Sequence, residues 1–101
     1  MIQQQQRYFQ WLENDLQTFG KNHPQSQIFL FGSSIQRERF ADIDIGILGK
    51  DVADTSIADL KNQFEESSFP FFVDIVNFNT VREPFRSHVL KQPVVWIQHS
   101  Q

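Results

Sequence analysis

Three aspartates are the residues in this chain whose types and spacing could do chemistry together. Asp42-Ile43-Asp44 opens a segment, 42–48, that alternates between Asp42, Asp44 and Gly46 on one side and Ile43, Ile45 and Ile47 on the other. In a strand, residues i and i+2 project from the same face, so the two carboxylates stand side by side while the isoleucines turn toward a core. Like charges ~4 Å apart repel by ~4 kcal/mol at an effective dielectric of about 20. A divalent cation that prefers oxygen, Mg2+ above all, offsets such a clash and is commonly held by one or two carboxylates plus substrate phosphates. Asp74 is a lone acid within the apolar run Phe71 to Val76, where an unpaired charge is expensive. If its strand lies beside the first, three carboxylates converge. The plainer alternative is a solvated pair at a sheet edge, with Asp74 bound to an arginine or a backbone donor.

Gly32-Ser33 directly follows a strand-like run, at a turn where a missing Cβ lets an anion approach the backbone. Alone such a pair is weak evidence, because most are turns. Ten residues before a carboxylate pair, it fits a cradle for the phosphates of a nucleoside triphosphate. Arg37 and Arg39 lie between the two features and could neutralise phosphate charge, or simply face solvent. His23, His88 and His99 have no ligand spacing and are expected to be structural or exposed. The chain has no P-loop, nucleophile-elbow or dinucleotide glycine motif.

These residues need elements to position them. Ile2, Phe9, Leu12, Leu16 and Phe19 recur at helical spacing, which predicts a helix over 2–19 ended by Gly20. A strand follows over 27–31, then a polar turn and the alternating strand 42–48. Asp54, Thr55 and Ser56 offer N-caps to a helix carrying Ile57, Leu60 and Phe64. A nearly buried strand covers 71–78. Thr80 and Glu83 have capping-box spacing before a short helix with Pro84 in its first turn and Phe85, Val89 and Leu90 on its apolar side. The tail 94–97 reads equally as a last strand or a packed extension. The first two strands should pair antiparallel, and the helix before the third favours a parallel crossover. The fold class is therefore α/β or α+β, a small mixed β-sheet flanked by helices.

With 101 residues, 40% of them hydrophobic and eleven of them Phe, the chain is expected to form a single domain over 1–101 with a packed core. It has no cysteine, which excludes disulfides and thiolate sites and makes a cytoplasmic location the default. No apolar run approaches the ~20 residues of a membrane span, so no membrane partner is expected. The net charge is −3, with 5 basic and 5 acidic residues in 1–50 and 4 and 7 in 51–101. Without a basic field, direct nucleic-acid binding is not expected.

Phe31-Gly32-Ser33, Asp42-Ile43-Asp44 and Val73-Asp74-Ile75-Val76, in that order, resemble the minimal nucleotidyltransferase domains of the DNA polymerase beta superfamily. The likeness spans roughly 26–97. Eight residues separate Ser33 from Asp42, slightly fewer than is usual, and Ala41 stands where a serine is often found. The resemblance implies a polymerase-beta-like nucleotidyltransferase fold and Mg2+, two ions, held by Asp42 and Asp44. Asp74 would be third ligand or general base, and Gly32 and Ser33 would bind the triphosphate of ATP, with Arg37, from its place between the two motifs, as a further nucleotide contact. Domains of this size resemble the antitoxin half of HEPN and minimal nucleotidyltransferase toxin–antitoxin pairs. That implies transfer of AMP from ATP to a tyrosine of a HEPN-domain toxin. The competing reading is a catalytically silent module that neutralises a HEPN-like partner by contact alone. Homo- or hetero-oligomerisation stays open.

Overall fold

A computed structural model describes residues 3–32 and 42–99, with side chains from Gln6 onward. Seven elements follow one another: α1 (Gln3–Asn22), β1 (Gln27–Phe31), β2 (Asp42–Leu48), α2 (Asp54–Glu66), β3 (Phe72–Asn77), α3 (Phe85–Lys91) and β4 (Val95–Gln98). The four strands form one sheet in the order β3-β2-β1-β4. β1 runs antiparallel to both β2 and β4, while β2 and β3 are parallel, so the mixed sheet expected from the connections is the one observed. The tail resolves as a strand over 95–98, paired to β1.

Period two divides the sheet into two unlike faces. Ile28 and Leu30 of β1, Ile43, Ile45 and Ile47 of β2, and Val73 and Ile75 of β3 form the main core with Leu12, Leu16 and Phe19 of α1 and Ile57, Leu60 and Phe64 of α2. The isoleucine side of the alternation is therefore committed to two helices, and a one-residue slip of β2 would put three carboxylate or glycine positions into that core. On the opposite face Phe29, Phe31, Phe78 and Val89 of α3 form a smaller aromatic cluster, with Phe29 and Phe78 ring centroids 5.0 Å apart. Gly46 makes room for it: a Cβ there would lie 2.4 Å from Phe29 Cζ and 2.9 Å from Phe78 Cε1.

The structure corrects three local expectations. α1 continues through Gly20 to Asn22. Gly20 is not a stop signal but a point of close approach, since a Cβ there would meet Gln98 Oε1 at 2.2 Å. Pro24 lies just beyond the last helical residue, and Gln98, arriving on β4, ties the C-terminal end of the helix to the sheet. Its Nε2 donates within 3.1–3.2 Å of the carbonyls of Gly20, His23 and Ser26 and of Ser26 Oγ, two hydrogens shared among four acceptors. Secondly, α2 has Ala53 as its N-cap with no side-chain cap bond. Asp54 lies inside the first turn, where its charge complements the helix dipole, and its Oδ1 accepts from Asn77 Nδ2 at 2.7 Å. Thirdly, the expected capping box is replaced. Pro84 occupies the N-cap of α3, Thr80 Oγ1 donates to Asn77 O, and the Glu83 carboxylate accepts from the backbone N–H and the hydroxyl of Ser87.

Gln98→Ala is expected to destabilise the fold by ~1–3 kcal/mol, because part-buried carbonyls lose their donor while α1 and β4 lose their link. A urea melt tests this; a loss below ~0.5 kcal/mol would mean that water replaces the amide at no cost.

Candidate active site

The site begins with the parallel pairing of β2 and β3. Asp44 and Asp74 are register partners across that pair, and Asp42 lies two residues before Asp44 on the same face. The convergence expected of the three acids is thus a register fact, made possible by the α2 crossover that brings β3 alongside β2. Asp42 is exposed, and Asp44 and Asp74 are half-buried. The Asp44 carboxyl titrates above its ordinary range, first because burial strips water from the charged form and then because Asp74 and Asp42 repel it. Among the described residues, no three carboxylate or imidazole groups are drawn close enough to enclose an ion as the side chains stand. The donor chemistry nevertheless fits a hard cation: all-oxygen ligands on one face, with the central one penalised for carrying its charge.

That penalty has a pH consequence. A carboxyl whose pKa is raised in the folded state holds more protons folded than unfolded between its two pKa values, so stability falls as pH rises through that window. In the absence of divalent cation, the contribution of Asp44 should make the protein more stable at pH values just above the ordinary carboxylate range than at pH 7. Added Mg2+ should remove the difference. Thermal melts at the two pH values, with and without Mg2+, check both the sign and its cancellation.

Gly32 ends β1 beside Asp44. Its φ is +80°, and a Cβ would lie 2.7 Å from Asp44 Oδ2. Both its backbone conformation and its empty side-chain volume are therefore in use. Ser33 and Arg37, the other two expected triphosphate contacts, lie outside the described residues, as does Arg39.

A cavity of about 310 Å3 adjoins the carboxylates on the β1 side, lined by Phe31, Gly32 and Asp44 from the sheet and by Phe85, His88, Val89, Gln92 and Pro93 from α3 and its C-terminal edge. His88 was expected to be structural or exposed; it is exposed and borders this cavity. Phe85, His88, Val89 and Gln92 follow the i, i+3, i+4, i+7 pattern of a single helix face, and that spacing was the available signal. The pattern alone reads as packing, since the sequence does not say that the facing wall is Asp44. The other histidines are structural or stacked: His23 Nδ1 lies 2.9 Å from Phe19 O, and His99 stacks on Trp96.

A mixed sheet with two acids on a central strand, a third in register beside them and a positive-φ glycine at the adjoining turn defines a nucleotidyltransferase domain by its architecture. The chain belongs to the polymerase beta nucleotidyltransferase family, whose model, described as "Polymerase beta, Nucleotidyltransferase", matches residues 14–101. It is 32% identical over 75 residues to the probable protein adenylyltransferase MntA of Haemophilus influenzae, a match covering 71% of this chain and 66% of that relative. The chain therefore spans just under two thirds of the relative's length. A solved toxin–antitoxin structure with AMP-PNP contains a chain that is 26% identical, with a TM-score of 0.66 over 88% of this chain and 74% of the other. The structure of a tri-AMPylated Shewanella oneidensis HEPN toxin in complex with MNT antitoxin contains a chain sharing the fold at 24% identity, with a TM-score of 0.64 over 91% of this chain and 73% of the other. Among the described residues, no helix is long and apolar enough to cross a membrane.

Proposed function

We propose that the protein is a Mg2+-dependent nucleotidyltransferase that moves AMP from ATP onto a hydroxyl, that of a tyrosine, on a HEPN-type toxin and so acts as its antitoxin. The observation that carries this reading is the register of Asp44 with Asp74, which assembles three acids on one face next to Gly32. The printed names of the relatives support it: a protein adenylyltransferase, a toxin–antitoxin structure with AMP-PNP, and an AMPylated HEPN toxin bound to an MNT antitoxin. The cysteine-free composition supports a cytoplasmic setting.

Asp42 and Asp44, with Asp74, would hold the Mg2+ ions, which when bound offset the carboxylate charge and stabilise charge on the attacking and leaving oxygens. Gly32 leaves backbone open to the triphosphate, with Ser33 and Arg37 as its further contacts. Asp74 accepts the proton of the acceptor hydroxyl as that oxygen forms a bond to the α-phosphorus of ATP. The bond from the α-phosphorus to the bridging oxygen breaks, and pyrophosphate leaves with its electron pair.

The test is incubation with Mg2+, ATP labelled at the α-phosphate and the HEPN-type partner. Label should pass to a partner tyrosine with the wild type, and Asp42→Asn should stop it. If wild type and variant bind the partner equally and neither labels it, the protein neutralises its partner by contact alone.

A further inference from the structure

Resting on the nucleotidyltransferase reading, we propose that the cavity between β1 and α3 receives the base of the nucleotide and that Gln92 and His88 make it selective for adenine. The carboxylates lie between two sides of the sheet. On the β3 side the strand is an edge, and Phe72, beside Asp42 in register, is exposed. On the β1 side the cavity opens directly from Gly32 and Asp44, the two residues that meet triphosphate and cation in the proposed reaction. A nucleotide whose phosphates lie along Gly32 therefore has a ready-made hollow for its other end on that side, walled in part by Asp44 itself. The hollow at the start of β3, bordered by Phe72 and Val73, is lined by none of the three acids, and the acceptor keeps the β3 edge.

The size and chemistry of the hollow match a base. At about 310 Å3 it is at the lower end of small-molecule sites, which run from ~300 to ~1,000 Å3, and suits one flat ring system better than a whole nucleotide. Its walls supply aromatic and aliphatic surface from Phe31, Phe85 and Val89, against which a purine can stack. Phe85, 47% exposed, adds a large apolar surface to the wall of the cavity. The polar groups come from α3 and from Gln92, its C-cap. A glutamine amide carries a donor and an acceptor side by side and can pair with N6 and N7 of adenine, whereas guanine offers two acceptors at the corresponding edge. His88, on the same helix face, adds a ring nitrogen that can donate or accept.

Calorimetric titration of the full chain with Mg2+ and ATP, GTP or inorganic tripolyphosphate tests this. ATP should bind at least about tenfold more tightly than GTP or tripolyphosphate, and the His88→Ala/Gln92→Ala variant should lose about that factor for ATP while binding tripolyphosphate unchanged. Both side chains are exposed, and an unchanged melting curve confirms that the variant is folded. If the folded variant keeps the wild-type ATP affinity, or if wild type binds tripolyphosphate as tightly as ATP, the base lies elsewhere and only this inference fails. If wild type binds neither ATP nor tripolyphosphate, the nucleotidyltransferase reading fails and takes the inference with it.

Discussion

Asp44→Asn is expected to lower AMP transfer by about 10³-fold, the equivalent of ~4 kcal/mol at 1.36 kcal/mol per decade of rate. The same substitution should leave the cation-free protein at least as stable as the wild type. Asp44 is the middle acid of the three, repelled from both sides and partly stripped of water, so its ionised form is a cost to the fold. An amide of the same shape removes the charge and keeps the volume. Activity and stability then move in opposite directions, whereas an aspartate retained for structure would lose both together. Single-turnover transfer assays and melts of the same two preparations measure the two quantities. A variant that is less stable than wild type in the presence of chelator would contradict the assignment.

The second large effect is expected at Gly32. Alanine there must hold a positive φ, which costs ~1–2 kcal/mol for a residue with a Cβ. Its Cβ must also share space with Asp44 Oδ2 at 2.7 Å. The carboxylate has to rotate away from the turn, which takes it out of line with Asp74. Gly32→Ala is therefore expected to lose about 10²-fold in transfer, comparable to removing one fixed electrostatic contact, together with ~1–2 kcal/mol of stability. Both losses share a sign, unlike those at Asp44. Transfer kinetics and urea melts distinguish them, and an alanine variant with wild-type turnover would show that this turn does not set the Asp44 carboxylate.

The acids were legible in the sequence because strand geometry is local. Ile43, Ile45 and Ile47 announce a buried face, and Asp42 and Asp44 are then forced onto the other. Asp74 was conspicuous as a single charge among Phe71, Phe72, Val73, Ile75 and Val76. Their meeting was legible only as a condition: a helix between two strands favours a parallel crossover, and the acids share a site because β3 does lie directly beside β2. What stayed hidden depends on residues far apart in the chain. Gly20 reads as a helix stop until Gln98 is known to approach it from 78 positions away. Asp54 reads as a cap until Asn77 takes its carboxylate. The face of α3 that carries His88 and Gln92 reads as packing until Phe31, Gly32 and Asp44 are seen opposite it.

On the reading proposed above, the carboxylate face transfers AMP to a protein partner. The most direct test of that reading is the intact mass of the HEPN-type partner, purified after co-production with the wild-type protein and, in parallel, with Asp44→Asn. The partner should gain one or more whole AMP increments, mapped to tyrosine, with the wild type and none with the variant. A partner of unchanged mass, bound equally by both forms and equally silenced by them, would contradict it.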